Sequence, residues 1–208
     1  GGSGGSGGRG GSGGSGGGGG RGGFRELGEM VMKLLKKYHI SFFVLFFSTC
    51  LVFGNDLDNK KIFTCGNGGS ASTASHFITD WNKMINLATG KKFRGICLSD
   101  NMGLITAFAN DFSYDDIFSG QLASIADEGD LLISVSGSGN SKNILKAIKY
   151  ANDNSITSLS ILGYDGGEAL KISNHSFLVP SYDMQLCEDI HLMFGHITMK
   201  TLCHSDIR

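Results

Sequence analysis

Apolar and polar positions alternate along the chain in two recurring patterns. Beyond residue 59, apolar runs of three to five residues have the length of buried strands. The segments between these runs carry apolar residues at three- and four-residue steps, which is the one-sided stripe of a helix. The predicted strands cover residues 62–65, 95–98, 131–135, 158–162 and 177–179, and the predicted helices cover residues 70–85, 114–126, 141–152 and 184–202. This alternation predicts an α/β fold with right-handed crossovers and a mostly parallel sheet covered by helices on both faces.

The chain before residue 59 has patterns of its own. Residues 1–23 are almost entirely glycine and serine, which offer no apolar surface to bury, so we expect a flexible tail or a linker there. Residues 24–58 are expected to form a helical segment that precedes a single domain over residues 59–208. Within that segment the apolar run over residues 40–53 is shorter than the roughly 20 residues of a membrane-spanning helix. We interpret the run as a buried or subunit-interface helix, with a membrane-associated segment as the alternative.

Composition narrows the choice of partners. A formal net charge of −1 and a pI near 6.6 give no electrostatic basis for binding nucleic acid or an anionic membrane, and we expect neither as a partner. The five cysteines are widely spaced and contain no CxxC pair, so they indicate neither a disulfide framework nor a zinc knuckle. This usage is typical of a reducing compartment, and a cytoplasmic protein is expected.

Two loops rich in glycine and serine follow predicted strands. The first, CGNGGSAS over residues 65–72, runs directly into a helix, and the second, SVSGSGNSKN over residues 134–143, does the same. Glycines permit close backbone approach, and amides at a helix start attract anions. Because the carboxyl ends of parallel strands share one edge of a sheet, the two loops should meet in one crevice. Hydroxyls and amides without an Arg or Lys cluster suit a sugar phosphate better than a nucleotide.

Five motifs occur in an order and spacing that resembles a known family. They are CGNGGSASTASHF, NDFSYDDIF, SGSGNSKNILKAI, GYDGGE and EDIHLMFGH, and they span residues 60–203. Together they are similar to the sugar isomerase (SIS) domain family, and most closely to the phosphoheptose isomerases within it. The resemblance implies a flavodoxin-like three-layer α/β/α sandwich with N-terminal helices, a homotetramer, and isomerisation of sedoheptulose 7-phosphate to a heptose 7-phosphate for activated heptose and surface polysaccharide.

The resemblance also implies which residues bind the substrate. The glycine loop corresponds to the family's substrate loop, an Asn-Asp pair to its sugar contacts, and the second loop to its phosphate-binding serines. The implied substrate-binding residues are Asn67, Gly68, Gly69, Ser70, Asn110, Asp111, Ser136, Gly137, Ser138, Ser141 and Glu188.

Four further positions correspond to the family's acid-base and metal-binding residues. The family has histidine, glutamate, glutamine and histidine where this chain has His76, Asp80, Glu188 and His196, so two of the four differ. Isomerisation through an enediol needs a carboxylate for the carbon-bound proton and a second group for the oxygen-bound one, which assigns Asp80 as base and His196 as acid. The resemblance implies that the four could also bind Zn²⁺ as two histidines and two carboxylates.

Less specific interpretations stand beside these. His76 could cap or pack beneath the glycine loop, with Asp80 on the solvated helix surface, and His191 is expected to be a structural histidine with satisfied hydrogen bonds. For the whole protein, the alternative is a non-catalytic SIS module that binds a sugar phosphate or a protein partner such as a replication initiator. The presence of both Asp80 and His196 favours the enzyme.

Overall fold

A five-stranded parallel sheet forms the centre of the computed structural model, which describes residues 59–204. Its strands are β1 (Ile62–Gly66), β2 (Gly95–Cys97), β3 (Leu131–Ser136), β4 (Thr157–Leu162) and β5 (His175–Leu178). They lie side by side in the order β2-β1-β3-β4-β5, and every neighbouring pair is parallel. All five predicted strands are confirmed, with β5 beginning two residues earlier than predicted. The predicted N-terminal tail and the segment up to residue 58, with its apolar run, lie outside the described residues.

Each strand is followed by helix, as the alternating pattern predicts, and all helices but the last connect one strand to the next. The helices are α1 (Gly69–Thr89), α2 (Met102–Asp111), α3 (Ser119–Ile125), α4 (Lys142–Asp153), α5 (Ala169–Ile172) and α6 (Met184–His204), with a 3₁₀ helix at Tyr114–Asp116.

Two parts of the helical prediction need correction. The continuous helix expected over residues 114–126 is split into the 3₁₀ helix and α3. A short polar side chain competes with helical bonding at the split, since Ser119 Oγ donates to the carbonyl of Asp116 at 3.5 Å. Helix α2 was not predicted at all; none of its residues is fully buried, and Ile105, Phe108 and Ala109 pack only partly buried against the core.

Strand residues alternate between two hydrophobic layers. Leu131, Ile133 and Val135 of β3 pack with α1 and α6 on one face of the sheet. Leu132 and its neighbours from β1 and β4 pack with α3 and α4 on the other face. Successive side chains of a strand point to opposite faces of the sheet, so neighbouring residues of β3 belong to different layers. The three-layer α/β/α sandwich is therefore confirmed.

Helices α1 and α6 run parallel and in close contact on the first face. Trp81 of α1 is fully buried and donates from Nε1 to the carbonyl of Gly195 at 3.0 Å. Phe77 stacks on Trp81 with ring centroids 5.1 Å apart. A Cβ atom at Gly195 would collide with the Phe77 ring, so the glycine permits the close approach of the two helices. Across residues 59–204, we find no helix long and apolar enough to cross a membrane.

Candidate active site

The glycine loop and the serine loop meet at the carboxyl ends of β1 and β3, as the sequence predicts. They enclose an open cavity of about 260 Å³. The predicted site residues that line it are Asn67, Gly69, Ser70, Ser136, Gly137, Ser138, Ser141 and Glu188. Gly68 lies just before α1 with φ of 54°, a left-handed conformation that favours glycine. The start of α1 directs the positive end of its helix dipole towards this cavity.

Hydroxyl groups of the serine loop are oriented by backbone amides. Ser136 Oγ accepts from the Gly139 amide at 3.1 Å, and Ser138 Oγ accepts from the Asn140 amide at 3.3 Å. Each oxygen has one amide donor, so its own proton remains available to donate to an anion. Ser141 occupies the N-cap position of α4 without a side-chain capping bond, which leaves its hydroxyl for the cavity. The loop therefore presents three hydroxyl donors to one small volume.

A second cluster lies where α1 and α6 run side by side. Nε2 of His76 lies 2.9 Å from Nε2 of His196, and Asp80 Oδ2 lies 3.3 Å from the first and 3.6 Å from the second. His76 and Asp80 are one helical turn apart, which confirms their predicted shared face. The side chains are 43%, 28% and 44% exposed for His76, Asp80 and His196, so the cluster is open to solvent.

The cluster has the donor set of a metal site. One ligand atom from each of the three residues lies within 4.8 Å of the others. Two imidazole nitrogens and one carboxylate oxygen are the ligands of many catalytic zinc sites, in which further positions stay open. The residues therefore fit a zinc ion.

Glu188 does not join this cluster, although the sequence prediction placed it there. Its carboxylate lies beside Gly69 at the start of α1 and lines the serine cavity. The reason is the length of α6, along which Glu188 and His196 are about 12 Å apart. The structure thus brings three of the four predicted ligands together and places the fourth in the cavity between the two loops.

The predicted sugar-contacting pair also lies outside the cavity in this chain. Asn110 and Asp111 are exposed at the end of α2, where Asn110 Nδ2 donates to Asp111 Oδ1 at 2.9 Å. Helix α2 follows the edge strand β2, whereas the cavity lies between β1 and β3. Their distance from the cavity follows from this topology.

The structure adds an aromatic and apolar wall that sequence analysis did not assign. Tyr164 and Met184 line the cavity, and the Tyr164 ring stacks on Tyr182 with centroids 5.5 Å apart. Tyr164 has φ of 53°, a strained value for a residue other than glycine. In the sequence, the turn YDGGE that begins at Tyr164 was the feature that could have indicated this wall.

Other candidate groups have structural positions. Burial raises the pKa of the Cys65 and Cys187 thiols, so neither is a ready nucleophile. His191 is buried, and that burial lowers the pKa of its imidazole, an effect that the backbone of Leu162 opposes. However, neither ring nitrogen has a hydrogen-bond partner of good geometry among the described residues, so the expectation of satisfied hydrogen bonds is wrong.

Comparison with known proteins agrees with this geometry. Residues 51–163 match the SIS domain family. The chain belongs to that family. It is 40% identical to the phosphoheptose isomerase of Helicobacter pylori strain P12 over 142 residues. The aligned residues cover 68% of this chain and 73% of the relative. It is also 40% identical over 138 residues to the phosphoheptose isomerase of Clostridium acetobutylicum, with 66% of this chain and 70% of the relative covered. These relatives identify this SIS-domain chain as an enzyme of the phosphosugar isomerase type.

Solved structures show the same fold. A phosphoheptose isomerase from Francisella tularensis superposes with a TM-score of 0.77 at 22% identity, covering 88% of this chain and 97% of that one. The enzyme from Neisseria gonorrhoeae gives a TM-score of 0.75 at 24% identity, covering 86% of this chain and 97% of its own.

Proposed function

We propose that this SIS-domain enzyme converts sedoheptulose 7-phosphate into a heptose 7-phosphate, a step towards activated heptose and surface polysaccharide. The observation that carries the proposal is the pairing of a hydroxyl-lined cavity with the His76, Asp80 and His196 cluster on the same pair of helices. The names of its relatives in Helicobacter pylori and Clostridium acetobutylicum support the choice of sugar.

In this proposal the serine loop binds the phosphate. Ser136, Ser138 and Ser141 offer hydroxyl protons, and the first turn of α1 adds a positive dipole end. Because these donors are uncharged, the phosphate is bound by hydrogen bonds and not by an ion pair. Glu188, also in the cavity, is placed to accept hydrogen bonds from sugar hydroxyls.

The spacing of the two sites supports a long sugar. Glu188 in the cavity and His196 in the cluster are about 12 Å apart along α6. An extended chain gains about 1.2 Å per bond, so the eight bonds from C1 to phosphorus of a heptose 7-phosphate span about 9–10 Å. With phosphate on the serine loop, such a substrate would bring C1 and C2 close to the cluster. A shorter sugar phosphate would fall further from it.

The proposed chemistry is a pair of proton transfers. Asp80 removes a proton from C1 of the ketose while His196 donates one to the oxygen on C2, and the C1–C2 bond becomes the double bond of an enediol. The proton on Asp80 then passes to C2, and His196 recovers a proton from the oxygen on C1, which becomes the aldehyde. Protons and electron pairs balance, and no redox cofactor is consumed.

We further propose that the same cluster can hold Zn²⁺ through His76, Asp80 and His196, with Glu188 outside the coordination sphere. A bound ion would replace the acid-base pair described above, because the Nε2 of His196 that ligates it can no longer carry a proton. When bound, the ion would polarise the carbonyl oxygen at C1 or C2. The side chains of His76 and His196 are the nitrogen donors, and Asp80 is the carboxylate donor.

A homotetramer in the cytoplasm completes the proposal. Support for self-association comes from α2 and the residues after it, where Met102, Leu104 and Phe112 are 67%, 41% and 73% exposed. Burying such side chains against a second copy would remove apolar surface from water. Light scattering after size exclusion measures the mass of the assembly directly.

Incubation of the purified protein with sedoheptulose 7-phosphate tests the reaction, with aldose formation followed by NMR. In deuterium oxide the product should carry deuterium at C2 if the transferred proton exchanges with solvent on Asp80. The Asp80→Asn variant is the matched control. Tight binding of the sugar phosphate without turnover would instead support the non-catalytic module.

A further inference from the structure

A pair of side-chain amides joins the two loops of the cavity. Asn67 of the glycine loop donates from Nδ2 to Oδ1 of Asn143 at 2.9 Å, and Asn143 donates from Nδ2 to Oδ1 of Asn67 at 2.9 Å. Asn143 lies in the first turn of α4, directly after the serine loop, and is only 2% exposed. Two reciprocal bonds fix both the distance and the orientation of the loops that carry them.

The direction of these bonds follows from a backbone group. The amide of Ile144 donates to Oδ1 of Asn143 at 2.9 Å, and a backbone N–H can only donate. This contact identifies the oxygen of the Asn143 amide, so its nitrogen must face Asn67. The orientation of the Asn67 amide is then determined by complementarity.

Tyr114 connects a third part of the chain to the pair. Its hydroxyl donates to Oδ1 of Asn67 at 3.0 Å. That oxygen therefore accepts from both Asn143 and Tyr114, which occupies both of its lone pairs. The 3₁₀ helix that carries Tyr114 is itself held to α4 by the ion pair between Asp116 and Lys146.

We propose that Asn67, Asn143 and Tyr114 form an amide clamp, a set of positioning residues that fixes the glycine loop against the serine loop. The side-chain oxygen of Asn67 accepts two bonds in the clamp and one proton of its Nδ2 is donated there, so the residue positions its loop in addition to lining the cavity. The inference rests on the proposed function only in taking phosphate as the group bound in the cavity.

Binding of inorganic phosphate and of sedoheptulose 7-phosphate, measured by calorimetry, tests the clamp through three variants. Tyr114→Phe removes one hydroxyl, Asn143→Ala removes both reciprocal bonds, and the double variant combines them. Each single variant should weaken binding about two- to tenfold, the effect expected for lost hydrogen bonds. The double variant should be little weaker than Asn143→Ala alone, because both changes act through Asn67.

Tyr150→Phe is the matched control, since Tyr150 lies on α4 and packs against the hydrophobic layer on the opposite face of the sheet from α1. Alone it should leave phosphate affinity at the parent value, and combined with Asn143→Ala it should leave the affinity at that of Asn143→Ala. Melting temperatures identify any variant that fails to fold, in which case Asn143→Ser replaces Asn143→Ala.

A second readout needs neither turnover nor ligand. The side-chain amide resonances of Asn67 and Asn143 should shift in Tyr114→Phe and stay in place in Tyr150→Phe. Unshifted resonances, or losses of affinity that multiply in the double variant, would overturn the clamp. A parent protein that binds no phosphate would overturn its positioning role. If the affinity losses do not multiply but the protein isomerises no ketose phosphate, the proposed reaction is wrong and the clamp is retained.

Discussion

The imidazoles of His76 and His196 meet edge to face, with their Nε2 atoms 2.9 Å apart, although 120 positions separate them in the chain. The contact exists because α1 and α6 lie parallel, with Gly195 giving the Phe77 ring room between them. Asp80 completes the cluster from one turn further along α1. The proposed acid, base and metal ligands therefore depend on one helix pair.

Replacement of the proposed base gives the most direct prediction. Asp80→Asn should lower kcat by about 10²–10⁴-fold, the usual contribution of a positioned acid-base group, because the amide keeps the shape and loses the base. The melting temperature should stay within a few degrees of the parent, since Asp80 is partly exposed. Asp80→Glu keeps the carboxylate and serves as the comparison. Parent-like turnover by Asp80→Asn would remove Asp80 from the mechanism.

The phosphate loop predicts effects on binding. Ser138→Ala and Ser141→Ala should each raise KM about tenfold or more, because a hydrogen bond to a charged acceptor contributes about 1.5–3 kcal/mol. The rate at saturation should change less. Ser124→Ala is the control, since that hydroxyl bonds the Gly120 carbonyl on α3, away from the cavity. An unchanged KM in both loop variants would move the phosphate site elsewhere.

Metal content tests whether Glu188 belongs to the proposed zinc site. Protein purified without a His tag should carry about one zinc ion per chain, and His76→Ala should lose it because a nitrogen donor is removed. Glu188→Gln should keep the ion, since Glu188 lies in the serine cavity and not in the cluster. Elemental analysis of the three proteins measures this. Full occupancy in His76→Ala, or loss in Glu188→Gln, would contradict the assignment.

The helix contact at Gly195 predicts a linked loss of stability and activity. Gly195→Ala places a methyl group against the Phe77 ring, and overpacking of this kind costs about 1–3 kcal/mol of the free energy of unfolding. Separation of the helices should also lower kcat. Lys149→Ala on the exposed side of α4 is the control, measured in parallel by urea unfolding, and should not destabilise the protein. Equal stability of the two variants would show that the helices can adjust.

His191 predicts a pH dependence of stability. Burial lowers the pKa of its imidazole, so below about pH 6.5 the unfolded chain binds a proton that the folded chain does not. Its contribution is thus fully present above the unfolded pKa and is lost as pH falls towards the lower folded pKa. The free energy of unfolding should fall by up to about 1.4 kcal/mol per pH unit in this range from His191 alone. His191→Leu should flatten that part of the curve, as measured by urea unfolding between pH 5 and 8.

The strands and most helices could be predicted from sequence because their signals are local. The apolar run of β3 predicted a strand buried on both faces, and the glycines of the first loop marked the turn into α1. Helix α2 was not found this way; its contact with the core is shallow, since none of its residues is fully buried.

The sequence by itself determined which residue types reach the cavity and that the two loops meet, because loop composition is local and both loops follow parallel strands, whose carboxyl ends share one edge of a sheet. Only the tertiary structure decided that Glu188 faces the serine loop while His196 joins His76, since the rise of α6 separates them by about 12 Å. It alone also joined Asn67 to Asn143 and Tyr114. These contacts depend on how distant elements pack, and no local periodicity encodes that packing.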